Sequence, residues 1–261
     1  MWPVRNITHI EVLGRARSRD AIGARGPDFP SLREPAPMLR ETIEMATKKL
    51  FYYPSNASMA PHIVLEEIGR PFELCLVDRN EGEHKSANYL RLNPNGLIPV
   101  LIDGDLVLYE TAAICLHLAD THPAIRLAPE PGTMERAEFY KWLMWLTNTL
   151  QTSLIIYFYP ERWVDTNNAM GAEQVRAHAE SKIATLLDQL EAQLHSSGGP
   201  WLLGQHYTVL DPYAFMLCRW TRAFAKPARD WALLGAYLQR VLGRPAVQRA
   251  IKTEGLGLPL V

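Results

Sequence analysis

The sequence contains little cysteine and little net charge, and it has no long apolar run. Its three cysteines, Cys75, Cys115 and Cys218, lie far apart and form no Cys-x-x-Cys pair, which suits free thiols in a reducing compartment. The 27 basic and 28 acidic residues nearly cancel, so no basic excess indicates nucleic acid. No apolar stretch approaches the roughly 20 residues that span a bilayer. We therefore expect a cytoplasmic protein that binds neither nucleic acid nor membrane.

Residues 1–44 also lack sustained periodicity. They contain seven Arg and six Asp or Glu together with several Pro and Gly, a composition typical of a disordered extension. A start codon assigned too far upstream would give the same pattern, because Met45 lies directly before the first predicted strand. A mitochondrial presequence is a third interpretation, and the six acidic residues count against it.

The next segment alternates between strand and helix patterns. KLFYY (49–53) predicts a buried strand, Met59–Gly69 a helix that ends at its glycine, and PFELCLV (71–77) a second strand. Two strands joined by one short helix form a βαβ unit with parallel strands. The turn between the first strand and the helix, SNAS (55–58), is small, polar and uncharged. Such a turn leaves room for a ligand to approach the backbone.

A hairpin completes the first predicted domain, residues 46–122. After a polar loop and a short helical piece, LIPVLIDGDLVLYE alternates on both sides of Asp103-Gly104, which predicts a tight turn. TAAICLHLA (111–119) then predicts a helix. Four strands of mixed direction, with helices on both faces, form a thioredoxin-like arrangement.

The second half of the chain shows only helix patterns. A Pro-rich linker is predicted at 123–132 and an all-helical domain at 133–257. The predicted helices of this domain are Thr133–Tyr159, Glu173–Leu194, one that begins near Thr208, Trp231–Leu242 and a short one after Pro245. The predicted fold class is therefore an α/β domain followed by an all-α domain.

Three motifs in this order resemble the glutathione S-transferase family over residues 48–257. The YYP turn followed by APHIVLEEIG, and the closing TEGL, are similar to the bacterial beta class. GEHKSANYLRLNPNGLIPVLIDGDLVLYET is similar to phi- and beta-like members, and GQHYTVLDPYAF to the family's helix-capping motif. The resemblance implies a homodimeric transferase without a metal, which joins its co-substrate glutathione to a small hydrophobic electrophile.

Glu110 and Thr111 form the first candidate contact with glutathione. They stand where the hairpin ends and a helix begins, and a helix N-terminus favours a carboxylate. A simple helix cap would use the same residue types. The resemblance implies that Thr111 holds the γ-glutamyl carboxylate and that Glu110 holds its ammonium group.

The resemblance also implies contacts with the other two parts of glutathione. It implies a cis bond at Ile98-Pro99, with the backbone of Ile98 pairing with the cysteinyl part of the ligand as an added strand would. It places His84 and Lys85 near the glycine carboxylate, where a cation pairs well; a solvated polar loop is the alternative.

The sulfur of glutathione should lie at the SNAS turn. The beta class has a cysteine at the position of Ala57, so the mixed-disulfide chemistry of that class is excluded. Ser55, Asn56 and Ser58 remain as catalytic candidates, with helix capping as the alternative for Ser58. Lowering a thiol pKa from ~8.5 to ~6.5 requires about 2.7 kcal/mol. One charged hydrogen bond of about 1.5–3 kcal/mol, with the helix N-terminus adding about 0.3–1, is sufficient.

The second substrate should lie against the first long helix of the helical domain. Asn148, Gln151, Thr152 and Tyr157 are the candidates for this pocket. The beta class has a histidine at the position of Gln151, and glutamine can donate a hydrogen bond there but cannot act as a general acid. Two other functions fit the sequence: a glutathione-dependent disulfide oxidoreductase, or a binding protein with this fold and no activity.

Overall fold

A computed structural model describes residues 47–261 of the chain, and the predicted extension at 1–44 lies outside them. The strands are β1 (Lys48–Tyr52), β2 (Phe72–Leu76), β3 (Val100–Asp103) and β4 (Leu106–Tyr109). The α-helices are α1 (Met59–Ile68), α2 (Ala87–Leu92), α3 (Thr111–Thr121), α4 (Met134–Trp145), α5 (Thr152–Phe158), α6 (Ala169–Ser197), α7 (Leu210–Trp220), α8 (Ala232–Leu242) and α9 (Pro245–Thr253). Short 3-10 helices cover Glu83–Lys85, Pro123–Ile125, Pro160–Trp163 and Ala228–Asp230.

The four strands form one mixed sheet in the order β2-β1-β3-β4. Strand β1 runs parallel to β2 and antiparallel to β3, which in turn pairs antiparallel with β4. Leu50 lies opposite both Leu74 and Leu101, and the side chains of Leu50 and Leu101 are fully buried. The predicted βαβ unit and hairpin are therefore confirmed, and the helical elements follow them as expected.

The hairpin turn lies one residue later than predicted. Asp103 pairs with Leu106 inside the sheet, so the two turn residues are Gly104 and Asp105. Gly104 has φ +59°, a conformation that glycine adopts without strain. Asp103 stays in the strand because its carboxylate binds Lys48 Nζ at 3.1 Å and His117 Nε2 at 2.9 Å.

The predicted single helix over 133–159 is interrupted. A π-helix occupies Leu146–Gln151, between α4 and α5. Ser153 Oγ donates to the carbonyl of Thr149 at 2.8 Å, and Thr152 Oγ1 donates to that of Thr147 at 3.3 Å. Both hydroxyls therefore bond to backbone carbonyls inside the π-helical segment.

Helix α1 joins the two halves of the described chain, because it packs against α3 on one side and against α7 and α9 on the other. Its buried residue Ile63 belongs to the same core as Leu118 of α3 and Tyr213 of α7. On its outer side, Glu67 accepts two hydrogen bonds from Arg244, at 2.5 and 2.9 Å. Within residues 47–261, every helix is too short or too polar to span a bilayer.

Candidate functional site

A cavity of about 580 Å3 lies between the sheet and the helical half, within the size range of small-molecule sites. Six of the residues predicted from the sequence line it: Ser55, Asn56, His84, Lys85, Ile98 and Gln151. The other lining residues are Ala57, Arg79, Asn95, Gly96, Leu97, Ile155, Phe158, Tyr159, Arg162, Trp220 and Arg222. The cavity thus brings the SNAS turn, the segment before β3 and the first long helical region to one place.

The SNAS turn is held in a fixed shape where it meets the cavity. Ser55 adopts φ +62°, an uncommon backbone conformation for a residue with a side chain. Its N–H donates to Glu254 Oε2 at 2.8 Å, and its Oγ accepts a hydrogen bond from Arg219 Nη1. The side-chain oxygen of Asn56 accepts the N–H of Ala57. Both candidate polar side chains are therefore anchored from the protein side of the turn.

Ser58 differs from its two neighbours in the turn. Its side chain is fully buried, and its Oγ donates to the carbonyl of Tyr53 at 3.2 Å and accepts the N–H of Tyr53 at 3.3 Å. It does not line the cavity. It makes no capping bond either, because its own backbone is already helical (φ −65°, ψ −18°). Ser58 thus closes the turn onto β1, and its hydroxyl does not face the cavity.

The segment before β3 presents a free backbone edge. The Ile98-Pro99 bond is cis, as the resemblance implied. The carbonyl of Leu97 is fixed by Tyr89 Oη and by Asn93 Nδ2, both at 2.8 Å. Among the described residues, neither the N–H nor the C=O of Ile98 makes a hydrogen bond, so both groups can pair with an extended ligand.

Glu110 and Thr111 stand at the N-terminus of α3 and adjoin the cavity without lining it. Glu110 is exposed and has φ +74°, and Thr111 is buried. Thr111 Oγ1 donates to the carbonyl of Ala57 at 3.3 Å, which links the start of α3 to the SNAS turn. Their roles in binding the γ-glutamyl group stay predictions.

His84 and Lys85 line the cavity next to Asn95 and Gly96. Burial lowers the pKa of His84, and the nearby charges of Arg79 and Lys85 lower it further. The imidazole is therefore neutral at pH 7, and its buried Nδ1 has no partner in the part of the chain that the structure describes. Lys85 Nζ reaches the carbonyl of Asn95 at 3.4 Å. Of these two residues only Lys85 is therefore cationic, and its contact with the glycine carboxylate stays a prediction.

Three arginines of the cavity wall, Arg79, Arg162 and Arg222, were not expected from the sequence. Arg79 Nη2 donates to Tyr159 Oη at 3.1 Å, and the guanidinium of Arg162 lies 4.0 Å from the centre of the Tyr159 ring. No acidic side chain of the described residues lines the cavity. A cavity with this charge attracts anions. Since the arginines are far apart in the sequence, no local motif could have revealed them.

Only one of the four residues predicted for the second substrate, Gln151, lines the cavity. The phenolic Oη of Tyr213 donates to Gln151 Oε1, so the amide Nε2 stays available for a ligand. Asn148 and Thr152 are exposed outside the cavity, and the ring of Tyr157 packs on Phe224, with ring centres 4.2 Å apart.

The inner side of the helical region supplies other residues instead. Ile155 and Phe158 line the cavity together with Gln151. These positions recur on one face of a helix, at i, i+4 and i+7. Asn148, Thr152 and Tyr157 do not line this cavity, and their assignment to the second-substrate pocket stays a prediction.

Buried charged and polar side chains hold the SNAS turn on the side that faces the protein interior. Glu254 follows α9, and its Oε1 is 2.8 Å from His62 Nδ1 of α1, while its Oε2 binds the N–H of Ser55. Arg219 of α7 is also buried. No group of three His, Cys, Asp or Glu within residues 47–261 could hold a metal ion. The buried side chains can position hydrogen-bond donors, but they offer no site for a metal.

Two family models match the chain. The model described as "Glutathione S-transferase, N-terminal domain" matches residues 46–120, which contain the sheet and the SNAS turn. The model described as "Glutathione S-transferase, C-terminal domain" matches residues 159–254 of the helical half. The cavity lies between these two regions and draws residues from both.

Relatives of known name cover most of the chain. The glutathione S-transferase GST-4.5 of Xanthomonas campestris is 33% identical over 208 residues, 80% of this chain and 99% of the relative. A glutathione transferase homologue from Sulfitobacter, solved with bound glutathione, is 26% identical to this chain, with a TM-score of 0.73. The match covers 82% of this chain and 100% of the homologue. A Burkholderia graminis glutathione transferase with two glutathione molecules bound per subunit is 25% identical, with a TM-score of 0.70. The match covers 81% of this chain and 90% of that transferase. The chain belongs to the glutathione S-transferase family.

Proposed function

We propose that this chain is a glutathione transferase that binds glutathione in the cationic cavity and joins its sulfur to a small electrophile. One observation carries the proposal: a single cavity joins the N-terminal turn of α1, the free backbone of Ile98 and a wall of cations without a lining carboxylate. Glutathione has two carboxylates and one thiol, so each of these features has a part of the ligand to meet.

The binding mode follows from the chemistry of each wall. The backbone of Ile98 pairs with the cysteinyl portion of glutathione, and Lys85 and the nearby arginines attract its carboxylates. The start of α3, with Thr111, is suited to the γ-glutamyl carboxylate. These contacts place the thiol at Ser55 and Asn56, beside the N-terminus of α1.

The reaction requires a glutathione thiolate and a surface of the cavity that orients the electrophile towards it. The thiol proton leaves to solvent, Ser55 and Asn56 stabilise the thiolate, and the sulfur attacks an electrophilic carbon of the second substrate. A carbon–sulfur bond forms, and the leaving group departs with its bonding electron pair. Gln151, Ile155 and Phe158 hold the electrophile, and the amide of Gln151 donates to negative charge that develops on it.

Disulfide reduction is the second candidate function, and the Burkholderia relative with two bound glutathione molecules favours it. The family's beta-class cysteine is absent, and no cysteine of the described part lines the cavity. Two bound glutathione molecules would supply both thiols: the first thiolate attacks the substrate disulfide and releases one thiol, and the second releases the other thiol and forms oxidised glutathione.

Calorimetry with glutathione, followed by rates with chloro-dinitrobenzene and with hydroxyethyl disulfide, separates the alternatives. A transferase binds glutathione and conjugates the aromatic chloride faster than it reduces the disulfide. The opposite order of rates indicates the oxidoreductase. Failure to bind glutathione indicates a binding protein that keeps only the fold, and it would overturn the proposal.

We propose in addition that the protein is a cytoplasmic homodimer. All three cysteines are free thiols in the structure, which agrees with a reducing compartment. Exposed apolar side chains on α4, Tyr140 and Met144, offer a surface for a second copy.

A further inference from the structure

Arg219 is a buried cation without a direct carboxylate partner. It lies in the last turn of α7 with 3% of its surface exposed. Its Nη1 donates to Ser55 Oγ, and its Nε is buried with no hydrogen-bond partner among the described residues. Within residues 47–261, no carboxylate oxygen lies within 4.0 Å of the guanidinium nitrogens of Arg219. A buried charge in this state is unfavourable unless an anion compensates it.

The charged neighbours of Arg219 leave room for a further anion. Glu254 is the acidic group that acts on it, but both oxygens of that carboxylate are engaged, by the N–H of Ser55 and by His62. Arg222, three residues along the chain, adds a second positive charge. Burial, and then Arg222, lower the pKa of Arg219 to about 10. The Arg219 side chain is still a cation at pH 7, so a positive charge lies directly behind the Ser55 hydroxyl, on the side away from the cavity.

The hydrogen bond from Arg219 dictates which way the Ser55 hydroxyl donates. A guanidinium has donors and no acceptor, so Ser55 Oγ must accept from it. A serine hydroxyl has one hydrogen in addition, and no described residue accepts that hydrogen from Ser55. Since Ser55 lines the cavity, the hydroxyl hydrogen is free to point to a ligand there.

We propose that Arg219 is a positioning residue for the reaction: it holds Ser55 Oγ from below, so that the serine hydroxyl donates to the thiolate of glutathione and the buried positive charge strengthens that hydrogen bond. This proposal rests on the proposed function. A hydrogen bond supported by a charge is stronger than one between neutral groups. The thiolate in turn supplies the negative charge that Arg219 lacks.

The test compares Arg219→Met with the wild-type protein. The readouts are the ultraviolet absorbance of the bound thiolate and kcat/KM for chloro-dinitrobenzene, each measured as a function of pH. We expect the variant to raise the pKa of bound glutathione by about one unit, which lowers kcat/KM about threefold at pH 7 and about tenfold at pH values well below ~6.5, where the thiol is mostly protonated in both proteins. At alkaline pH the two proteins should agree within about threefold, since the thiol is ionised in both. Unchanged pH profiles would overturn the proposal.

Arg136→Met is the matched control. Arg136 is also 3% exposed, but it pairs with Asp120 at 2.7 Å, and it does not line the cavity. Its replacement should change stability without moving the pH profile. If both variants move the profile equally, the effect is a general consequence of losing a buried arginine and the proposal is wrong.

A second pair of variants tests the route through Ser55. When Ser55 is already replaced by alanine, adding Arg219→Met should change kcat/KM at neutral pH by less than a third of the change it causes in the wild-type protein. The reason is that the hydroxyl positioned by Arg219 is absent in the Ser55→Ala protein. An equal effect in both backgrounds would rule out that route. Arg219→Gln, which keeps a donor but no charge, replaces the methionine variant if that variant does not fold, and should show an intermediate shift.

The outcomes distinguish this inference from the function on which it rests. If the wild-type protein does not bind glutathione in calorimetry, the proposed function fails. If the wild-type protein binds it and conjugates chloro-dinitrobenzene, but Arg219→Met keeps the wild-type pH profile, only the role of Arg219 is overturned.

Discussion

At the scale of single residues, the turn after β1 divides its hydroxyls between two tasks. Ser55 meets the cavity and is held by Arg219 and Glu254, whereas Ser58 faces inward and bonds both backbone groups of Tyr53. The sequence could not separate them, because both are small polar residues next to a helix start. Their backbone conformations set them on these different courses, with φ +62° at Ser55 and −65° at Ser58.

Replacing each of the two serines by alanine should therefore give different results. Ser55→Ala removes a donor to the thiolate worth about 1.5–3 kcal/mol, so the thiol pKa should rise by about 1–2 units and kcat/KM at pH 7 should fall roughly 4–40-fold. Ser58→Ala should leave kcat/KM of the folded protein within about threefold and instead destabilise it by about 1–2 kcal/mol, because Tyr53 loses its partners. Steady-state kinetics and urea unfolding of both variants check this, and a larger loss of activity in Ser58→Ala would contradict it.

Asn56 should contribute less to the thiolate than Ser55. Its side-chain oxygen is already bound by the N–H of Ala57, and its Nδ2 makes no hydrogen bond within residues 47–261, so one donor faces the cavity side. Asn56→Ala should lower kcat/KM at neutral pH by about tenfold or less. Asn56→Asp places a negative charge beside the sulfur and should lower it more. If Asn56→Asp is as active as wild type, the sulfur does not lie at this residue.

At the scale of elements, sequence patterns predicted the sheet better than the site. The strand, helix and hairpin signals were local, and the structure confirms them with shifts of one residue at Gly104. The π-helix was not predicted, since hydrogen bonds five residues apart leave no periodic signature. Gln151 was predicted, whereas Ile155 and Phe158, which share its helical face at i+4 and i+7, were not.

Gln151, the last residue of the π-helix, is oriented by an element far along the chain. Tyr213 of α7 is fully buried and donates to Gln151 Oε1, which leaves the amide donor towards the cavity. Tyr213→Phe should raise KM for the electrophile about threefold to tenfold, by the loss of roughly one neutral hydrogen bond, without changing the calorimetric affinity for glutathione. Tyr157→Phe, a change outside the cavity, serves as the control. An equal loss of affinity for both substrates would contradict this role.

Asp211 shows how one predicted element acts in folding alone. The capping motif placed it at the start of α7, where its carboxylate accepts the N–H groups of Leu202 and Thr208 and the hydroxyl of Tyr237 at 2.7 to 3.0 Å. Asp211→Ala leaves three buried donors unpaired and should cost about 3–5 kcal/mol of unfolding free energy. Urea unfolding measures the loss. Calorimetry on the folded fraction should show unchanged glutathione affinity, and a loss of affinity there would place Asp211 in the site.

At the scale of the whole molecule, charge is distributed in a way that the composition hides. The net charge of −1 shows no basic excess over the chain as a whole, yet Arg79, Arg162 and Arg222 converge on one cavity. Folding brings together cations from three separate segments. The net charge of the chain cannot show this, because it sums all charged residues regardless of their position. The thioredoxin-like and helical halves each provide part of the wall, so neither half forms the cavity without the other.

The proposed dimer is the remaining property of the whole molecule. Tyr140 and Met144 stand one turn apart on α4 with 42% and 44% of their surfaces exposed, and a stable second copy would cover them. Met144→Asp would bury a charge in that contact, so sedimentation should show a monomer where the wild-type protein is a dimer. Met170→Asp, on the exposed first turn of α6, is the matched control and should stay dimeric. A wild-type monomer would refute the dimer, and a dimeric Met144→Asp variant would place the interface on another face.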